Sequence, residues 1–201
     1  MNERKNTVKT MKAKKLIPIC LCFAAVLSSC ARSDGGKQKL KDALFGDYQA
    51  EIHYSFSSEG EELSGEATIT KGENTTVLFH TPDALSDVTA QSGGDGFADT
   101  ITFEYYGMRI PLPQGALTKM NLLLSLFSGE TAAEITDLPS SAFLPVSASD
   151  ENTGELFSCT VPLSCGGSAT LVADKNSGYP VSFSAEYENA KVYGEITNFT
   201  T

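Results

Sequence analysis

YQAEIHYSF, Tyr48–Phe56, alternates without a break: Tyr48, Ala50, Ile52, Tyr54 and Phe56 are apolar or aromatic, while Gln49, Glu51, His53 and Ser55 between them are polar. Successive side chains of a β-strand point to opposite faces, so this period of two predicts a strand buried on one side and wet on the other. The segments that follow repeat the pattern. SSEGEE reads as a turn, LSGEATITKG as a second strand with Ala67 and Ile69 inward, and NTTVLFHTP as a third, stopped by Pro82. Together they predict an antiparallel meander.

Beyond the loop DALSD and the stretch VTAQSGGDG, the segment ADTITFEYYGMRIPLP reads as a hairpin. Ile101, Phe103 and Tyr105 alternate on one arm, Gly107 turns the chain, and Met108, Ile110 and Leu112 alternate on the other. ALTKMNLLLSLFSG changes period: Leu117, Met120, Leu123, Leu124 and Phe127 share a helical stripe that Leu122 and Leu126 widen, with Gly129 at the expected C-terminal end. So broad a stripe expects burial on more than one side. Residues 130–152, rich in Ser, Pro and Ala, read as an irregular covering segment with a short strand or helical turn. Sheet returns in GELFSCTVPL, SATLVADK, YPVSFSAEY and AKVYGEITNF, where Tyr179, Val181, Phe183, Ala185 and Tyr187 alternate. Eight to ten strands with one main apolar helix predict an α+β domain, mainly β, whose strongly curved antiparallel sheet wraps the helix. A closed barrel and a β-sandwich are the alternatives, and the mid-chain helix argues against a plain sandwich.

The N-terminus carries a different signal. MNERKNTVKTMKAKK has six basic residues against Glu3, and LIPICLCFAAVLSSC follows as an apolar run too short to cross roughly 30 Å of hydrocarbon. A basic head and a short apolar core predict an export signal, starting at Met1 or Met11. The last four residues, Leu27-Ser28-Ser29-Cys30, resemble the bacterial lipobox. That resemblance implies a signal peptide over residues 1–29, cleavage before Cys30, and a diacylglycerol on the Cys30 thiol that anchors the chain to the extracytoplasmic face of the cell membrane. An ordinary secretory signal with a chance cysteine is the competing reading. Residues 30–38, with ARSDGG, then read as the lipidated cysteine and a flexible tether, and 39–201 as one domain, whose first stretch KQKLKDALFGD makes one or two helical turns.

Removing residues 1–29 takes six basic and one acidic residue from 15 Lys+Arg and 25 Asp+Glu, leaving nine against 24 and a formal charge near −15. Such a surface repels phosphate backbones and anionic headgroups, which excludes nucleic acid as a partner and leaves the lipid as the membrane attachment. Cys159 and Cys165 remain. An exported chain permits a disulfide between them, but Pro162 and the turn-like SCGG leave that pairing open, and two thiols without a neighbouring His make a weak metal set.

The order of elements resembles the bacterial lipoprotein-carrier (LolA/LolB/LppX-like) family. The residues that carry the likeness are TPDALSDVTAQ, the hairpin TITFEYYGMRIPLP leading into TKMNLLLSLF, and the close ADKNSGYPVSFSAEYENAKVYGEITNF with its D-x-x-x-G-x-P turn at Asp174, Gly178 and Pro180. The resemblance implies an unclosed half-barrel around lid helices, and members that hold acyl chains on the concave face. Lipid-anchored relatives in spore-forming bacteria resemble partners of envelope proteins needed for germination, which implies an envelope protein partner as an alternative. A lipobox of its own separates this chain from freely diffusing carriers. On this reading a lipid or acyl-chain ligand would meet Tyr48, Ile52, Tyr54 and Phe56 of the first strand and Phe103, Tyr105, Met108 and Ile110 of the hairpin. Met120 and Leu124 of the helix and Val181 and Phe183 near the end complete the set. The same alternation suits a filled core, and sequence alone leaves both open.

Catalytic chemistry is poorly represented. There is no G-x-S-x-G, no H-E-x-x-H, no phosphate-cradling glycine loop and nothing that asks for a cofactor or a metal. His53 and His80 fall on polar strand faces, EGEE at 59–62 reads as a solvated turn, and Arg109 reads as a surface cation near Glu104 or a fork for an anion at a cavity mouth. A non-catalytic binding or interaction protein is the expectation.

Overall fold

The computed structural model describes residues 35–58, 60–92, 100–105, 108–113, 118–146 and 155–201; the side chains of 100–105, 109–113 and 118 lie outside the description. Within that range the chain forms one eleven-stranded sheet in the order β6-β5-β4-β3-β2-β1-β11-β10-β9-β8-β7. The strands are β1 (Tyr48–Ser58), β2 (Glu61–Lys71), β3 (Thr75–Phe79), β4 (Thr89–Ser92), β5 (Thr100–Tyr105), β6 (Met108–Pro113), β7 (Leu144–Val146), β8 (Leu156–Pro162), β9 (Ser168–Asp174), β10 (Pro180–Tyr187) and β11 (Ala190–Thr200). Every neighbouring pair is antiparallel. Strands 1 to 6 run outward to one edge, strands 7 to 11 return from the other, and β1 meets β11 in the middle. The sheet does not close: β6 and β7 are its two edges.

That topology places the helices. The chain must pass from one edge of the sheet to the other between β6 and β7, and it does so through α2 (Thr118–Leu126) and α3 (Gly129–Asp137). Helix α2 lies against β3 and β4 on one half and β10 and β11 on the other, and α3 packs on β8. Leu122, Leu123, Leu124, Leu126 and Phe127 are buried, which is what an apolar arc this wide requires.

The single expected helix is therefore two. Ser128 has extended backbone and its Oγ accepts from Thr131 N at 3.3 Å, so it is the N-cap of α3, and Gly129, expected to end the first helix, begins the second. The stretch read as irregular thus holds α3, whose Ala132 and Ile135 face the core. Strand β4, four residues long, is the other addition to the expected set, and β7, three residues long, is the short strand expected within residues 130–152. EGEE is not wholly a turn: Gly60, at φ +86°, makes the bend, and Glu61 and Glu62 already belong to β2.

Residues 35–45 form a further helix, α1, so residues 35–38, expected as the end of a tether, are its first turn. Leu40, Ala43 and Leu44 bury its inner side. Lysines tie it to its surroundings through backbone carbonyls: Lys37 Nζ reaches Ser140 O (2.8 Å), Lys39 Nζ Asn176 O (2.6 Å) and Lys41 Nζ Thr136 O (2.5 Å). Lys71, itself buried in β2, donates to Leu44 O at 3.0 Å at the end of α1, where unpaired carbonyls favour a cation. Burial pulls its pKa below the usual lysine value against the raising effect of Asp47.

The D-x-x-x-G-x-P turn is the other support of α1. Asp174 Oδ1 accepts from Asn176 N (2.9 Å), Ser177 N (2.7 Å) and Ser177 Oγ (2.9 Å). Burial alone would raise the Asp174 pKa, but those hydrogen bonds and the Lys39 charge outweigh it and hold the carboxyl below its ordinary value. Gly178 sits at φ +76°, and a Cβ there would run into Lys39 Cβ and Leu40 N. Gly178→Ala therefore combines left-handed strain with a clash against helix backbone, and is expected to destabilise the protein by about 2 kcal/mol or more. Urea unfolding of the variant checks this; an unchanged midpoint would show that α1 does not dock on the turn.

Candidate functional site

The concave face is built from the inward positions of the alternating strands, and the first element of the candidate site is β1. Tyr48, Ile52, Tyr54 and Phe56 are all buried, as are Met120 and Leu124 of α2 and Phe183 of β10. Tyr54 stacks at a tilt on Phe56 (4.8 Å between centroids) and meets Phe79 edge-on at 5.4 Å; Phe183 meets Phe127 edge-on at 5.3 Å. The structure brings these seven residues into one continuous core. Val181 is different: the β9–β10 register shifts between Pro180 and Ser182, so Pro180 takes the inward place and Val181 is only half-buried. Met108 is 60% exposed on the edge strand β6. Phe103, Tyr105 and Ile110 occupy β5 and β6, with Phe103 opposite Ile110 and Tyr105 opposite Met108, but their side chains lie outside the described residues. So do the side chain of Arg109, whose backbone stands opposite Glu104, the turn at Gly107, and Cys30 with the whole of residues 1–29.

Most polar groups buried around this face have partners, the side-chain oxygen of Asn74, next to Thr75, being the exception among the described residues. Tyr48 Oη and Thr75 Oγ1 both donate to Phe127 O, each at 3.2 Å, just beyond the end of α2. Ser128 Oγ (2.8 Å) and Thr131 Oγ1 (2.7 Å) donate to Ser125 O in the same junction. Tyr54 Oη donates to Thr81 O at 2.8 Å, and it can pass because Gly65 stands opposite it: a Cβ on Gly65 would strike Thr81 O and crowd the hydroxyl. Burial drives the pKa of Tyr48 upward and that of Tyr54 up to about 12.

Cys159 points into the core from β8 and Cys165 lies in the turn after it; both thiols are free. Burial raises Cys159 to about 11, against a small lowering by Lys41, and raises Cys165 against the lowering effect of hydrogen bonding to Ser125. Among the described residues no group of three or more metal-ligating side chains converges.

The outer face carries a second feature that alternation alone did not reveal. A shallow groove of about 610 Å³ runs over His53, Ser55, Ser64, Glu66, Tyr193 and Glu195. Register aligns Glu66, His53 and Glu195 side by side on β2, β1 and β11, with His53 Nε2 3.5 Å from Glu66 Oε1. Gly65 and Gly194 stand opposite Tyr54 in the adjacent row. Ser55 is hydrogen-bonded to Ser64 and Tyr193 to Glu62. His53 and His80 are exposed as expected, His80 Nε2 lying 2.8 Å from Thr68 Oγ1.

No protein-family model matches the chain, and no curated protein matches it. Solved structures do match in outline. A LolA superfamily protein of Nitrosomonas europaea is 9% identical, with 84% of this chain and 92% of that one covered and a TM-score of 0.40. The lipoprotein LppX of Mycobacterium tuberculosis is 12% identical, with 88% and 95% covered and a TM-score of 0.42. An uncharacterised conserved protein of Thermus thermophilus is 13% identical, with 83% and 85% covered and a TM-score of 0.45. Likenesses this distant transfer no function, and the unclosed antiparallel sheet stands on the chain's own strand order.

The buried phenols and thiol set the alkaline behaviour of the core. Their folded pKa values lie above the unfolded ones, so the stability they contribute is fully present below the ordinary values of 9.0 and 10.0 and is lost as pH rises through about 11 for Cys159 and about 12 for Tyr54. Lys71, shifted down, works in the opposite direction. Denaturant midpoints are expected to fall from pH 9 toward pH 12, and Cys159→Ala is expected to remove the earliest part of that fall. A flat profile across this window would show that the groups are not buried as described.

Proposed function

We propose that the chain is exported by residues 1–29, acylated at Cys30, and held on the extracytoplasmic face of the cell membrane as a non-catalytic binding protein. Its ligand is a lipid or another hydrophobic molecule taken up on the concave side of the sheet. The observation that supports this most is the form of the apolar interior. One curved sheet faces two short helices, and α2 lies against β3 and β4 on one half of it and β10 and β11 on the other, beside the buried aromatics of β1 and β10. An acyl chain offers the same kind of surface as Leu122, Leu124 and Phe127 and can stand in for it. Since Tyr48, Ile52, Tyr54, Phe56, Phe183 and, on α2, Met120 and Leu124 are covered in this structure, uptake means that α2 shifts along or away from the sheet.

Native mass spectrometry of the acylated protein purified from its host tests the reading. A species heavier than the acylated chain by the mass of a lipid is expected, together with displacement of a fluorescent fatty acid in solution. Protein that is empty in every preparation and fails to take up the fluorescent probe would overturn it.

A second reading has its own observation. The outer groove, with Glu66, His53 and Glu195 in one row and Tyr193 half-exposed beside them, offers an acidic, partly aromatic surface to an envelope protein partner. The sheet edges do not serve this purpose well. Pro111 and Pro113 on β6 and Pro145 on β7 remove donors that strand addition would need. On this reading a stoichiometric partner is retained by the native chain and released by Tyr193→Ala combined with Glu195→Lys, with the unfolding midpoint unchanged. Equal retention by both forms counts against it.

A further inference from the structure

We propose that the outer groove docks a basic, extended segment of the envelope protein partner, with an arginine or lysine side chain laid on the Tyr193 ring between Glu62 and Glu195. This rests on the second reading above and adds to it what the partner presents and in which conformation.

Charge on this half of the chain has one sign. Between Asp42 and Met108 the sequence holds twelve Asp and Glu, and Lys71 is its only lysine or arginine. Lys71 is buried, donates to Leu44 O, and lies roughly 17 Å along β2 from Glu66, so it neutralises nothing in the groove. On the outer face of β2, β1, β11 and β10 the alternation sets out Glu62, Glu66, Glu51, Glu195 and Glu186, all exposed. The lysine among them is Lys191, whose Nζ lies 3.3 Å from Glu186 Oε2. His53 stands between Glu66 and Glu195, and His80 beside Thr68 is the other titratable ring on this face. Glu61 at the start of β2 and Glu188 in the β10–β11 turn add to the negative side, while Arg109 belongs to β6, four strands from β2, with its backbone opposite Glu104. A surface of this sign attracts a cationic partner and rejects an anionic one.

Shape selects the conformation. One side of the groove is the row Glu66, His53, Glu195, Ser182, and the other is the row Ser64, Ser55, Tyr193, Ser184. The rows stand two residues apart along each strand, about 7 Å. A helix with its side chains is about 10–12 Å across and overhangs that width. A single extended chain fits between the rows, crossing the strands, and its side chains reach both.

Tyr193 is an observation separate from the charge. It is a large aromatic side chain left 45% exposed within a polar face, and its hydroxyl donates to Glu62, which orients the ring. Glu195 follows two residues later on the same face. A guanidinium or ammonium over such a ring gains the attraction of the π face and of both flanking carboxylates.

Fluorescence anisotropy of a labelled peptide of alternating arginine and serine, titrated with the full acylated chain in neutral detergent, tests the site without the partner. Saturable one-to-one binding is expected, weaker at high salt. Tyr193→Ala is expected to weaken it about tenfold, as is Glu66→Gln combined with Glu195→Gln. Glu134→Gln combined with Asp137→Asn removes the same charge from exposed positions on α3 and is expected to leave the affinity within about twofold. The altered side chains are at the surface, so equal unfolding midpoints confirm that every variant is folded. The inference is overturned if the arginine peptide does not saturate, or if Tyr193→Ala binds it as the native chain does. It is equally overturned if the α3 variant loses as much as the groove variants, because binding then follows net charge alone. Retention of a partner by the native chain is read separately: a partner retained with no peptide bound sinks the basic-segment inference alone, and a peptide bound with no partner retained sinks the partner reading alone.

Discussion

The carbonyl groups at the end of α2 have to be satisfied inside the protein, and much of the architecture follows from how that is done. A helix crossing the inner face of a sheet ends where water does not reach, and an unpaired carbonyl there costs on the order of 1–3 kcal/mol. Here Tyr48 from β1 and Thr75 from β3 donate to Phe127 O, and Ser128 and Thr131 donate to Ser125 O. Four hydroxyls from four different places thus hold one turn of backbone. Two of them come from the sheet and two from the helix that follows, so the junction couples the layers as well as closing the accounting of hydrogen bonds.

The same constraint explains why an open sheet suffices. Strands 1 to 6 and 7 to 11 are two meanders that meet only through β1 and β11, near the N-terminal and C-terminal ends of the domain. Nothing in the ladder itself joins β6 to β7. The helices between them span the gap in sequence and cover the concave side in space, with α2 touching both meanders. Edge strands left open by this arrangement carry Pro111, Pro113 and Pro145, which blunt them against further pairing. Lysines then hold α1 to carbonyls from the 140s, the 174–179 turn and the end of α3.

Legibility in the sequence tracks how many residues share one rule. Long half-buried strands such as β1 and β11 repeat the period of two often enough to be read directly. β4 and β7 are too short to show a period, and both are strands because longer neighbours present unpaired groups to them. Gly129 hides the boundary between α2 and α3, because a glycine near a helix end usually marks a stop, whereas here Ser128 before it caps a second helix through Thr131 N. Val181 fits the alternation on paper, yet a bulge moves Pro180 into its place, and bulges leave no pattern of their own. The covering of Tyr48, Ile52, Tyr54 and Phe56 could not be read at all, because a wall and a core demand the same residues.

That equivalence bears on ligand chemistry. Lifting α2 from the sheet exposes Leu122, Leu123, Leu124, Leu126 and Phe127, and at about 1.5–3 kcal/mol per buried side chain the cost is roughly 10 kcal/mol if water takes their place. Such a state is negligible on its own in a domain of ordinary stability. If an acyl chain takes their place on the sheet, most of the apolar area of β1 and β10 stays covered, and the exchange approaches neutrality. A polar ligand recovers none of it and also leaves Phe127 O without Tyr48 and Thr75. The filled interior is therefore compatible with the uptake proposed above, and on that proposal it restricts the ligand to molecules whose surface matches that of the helix they displace.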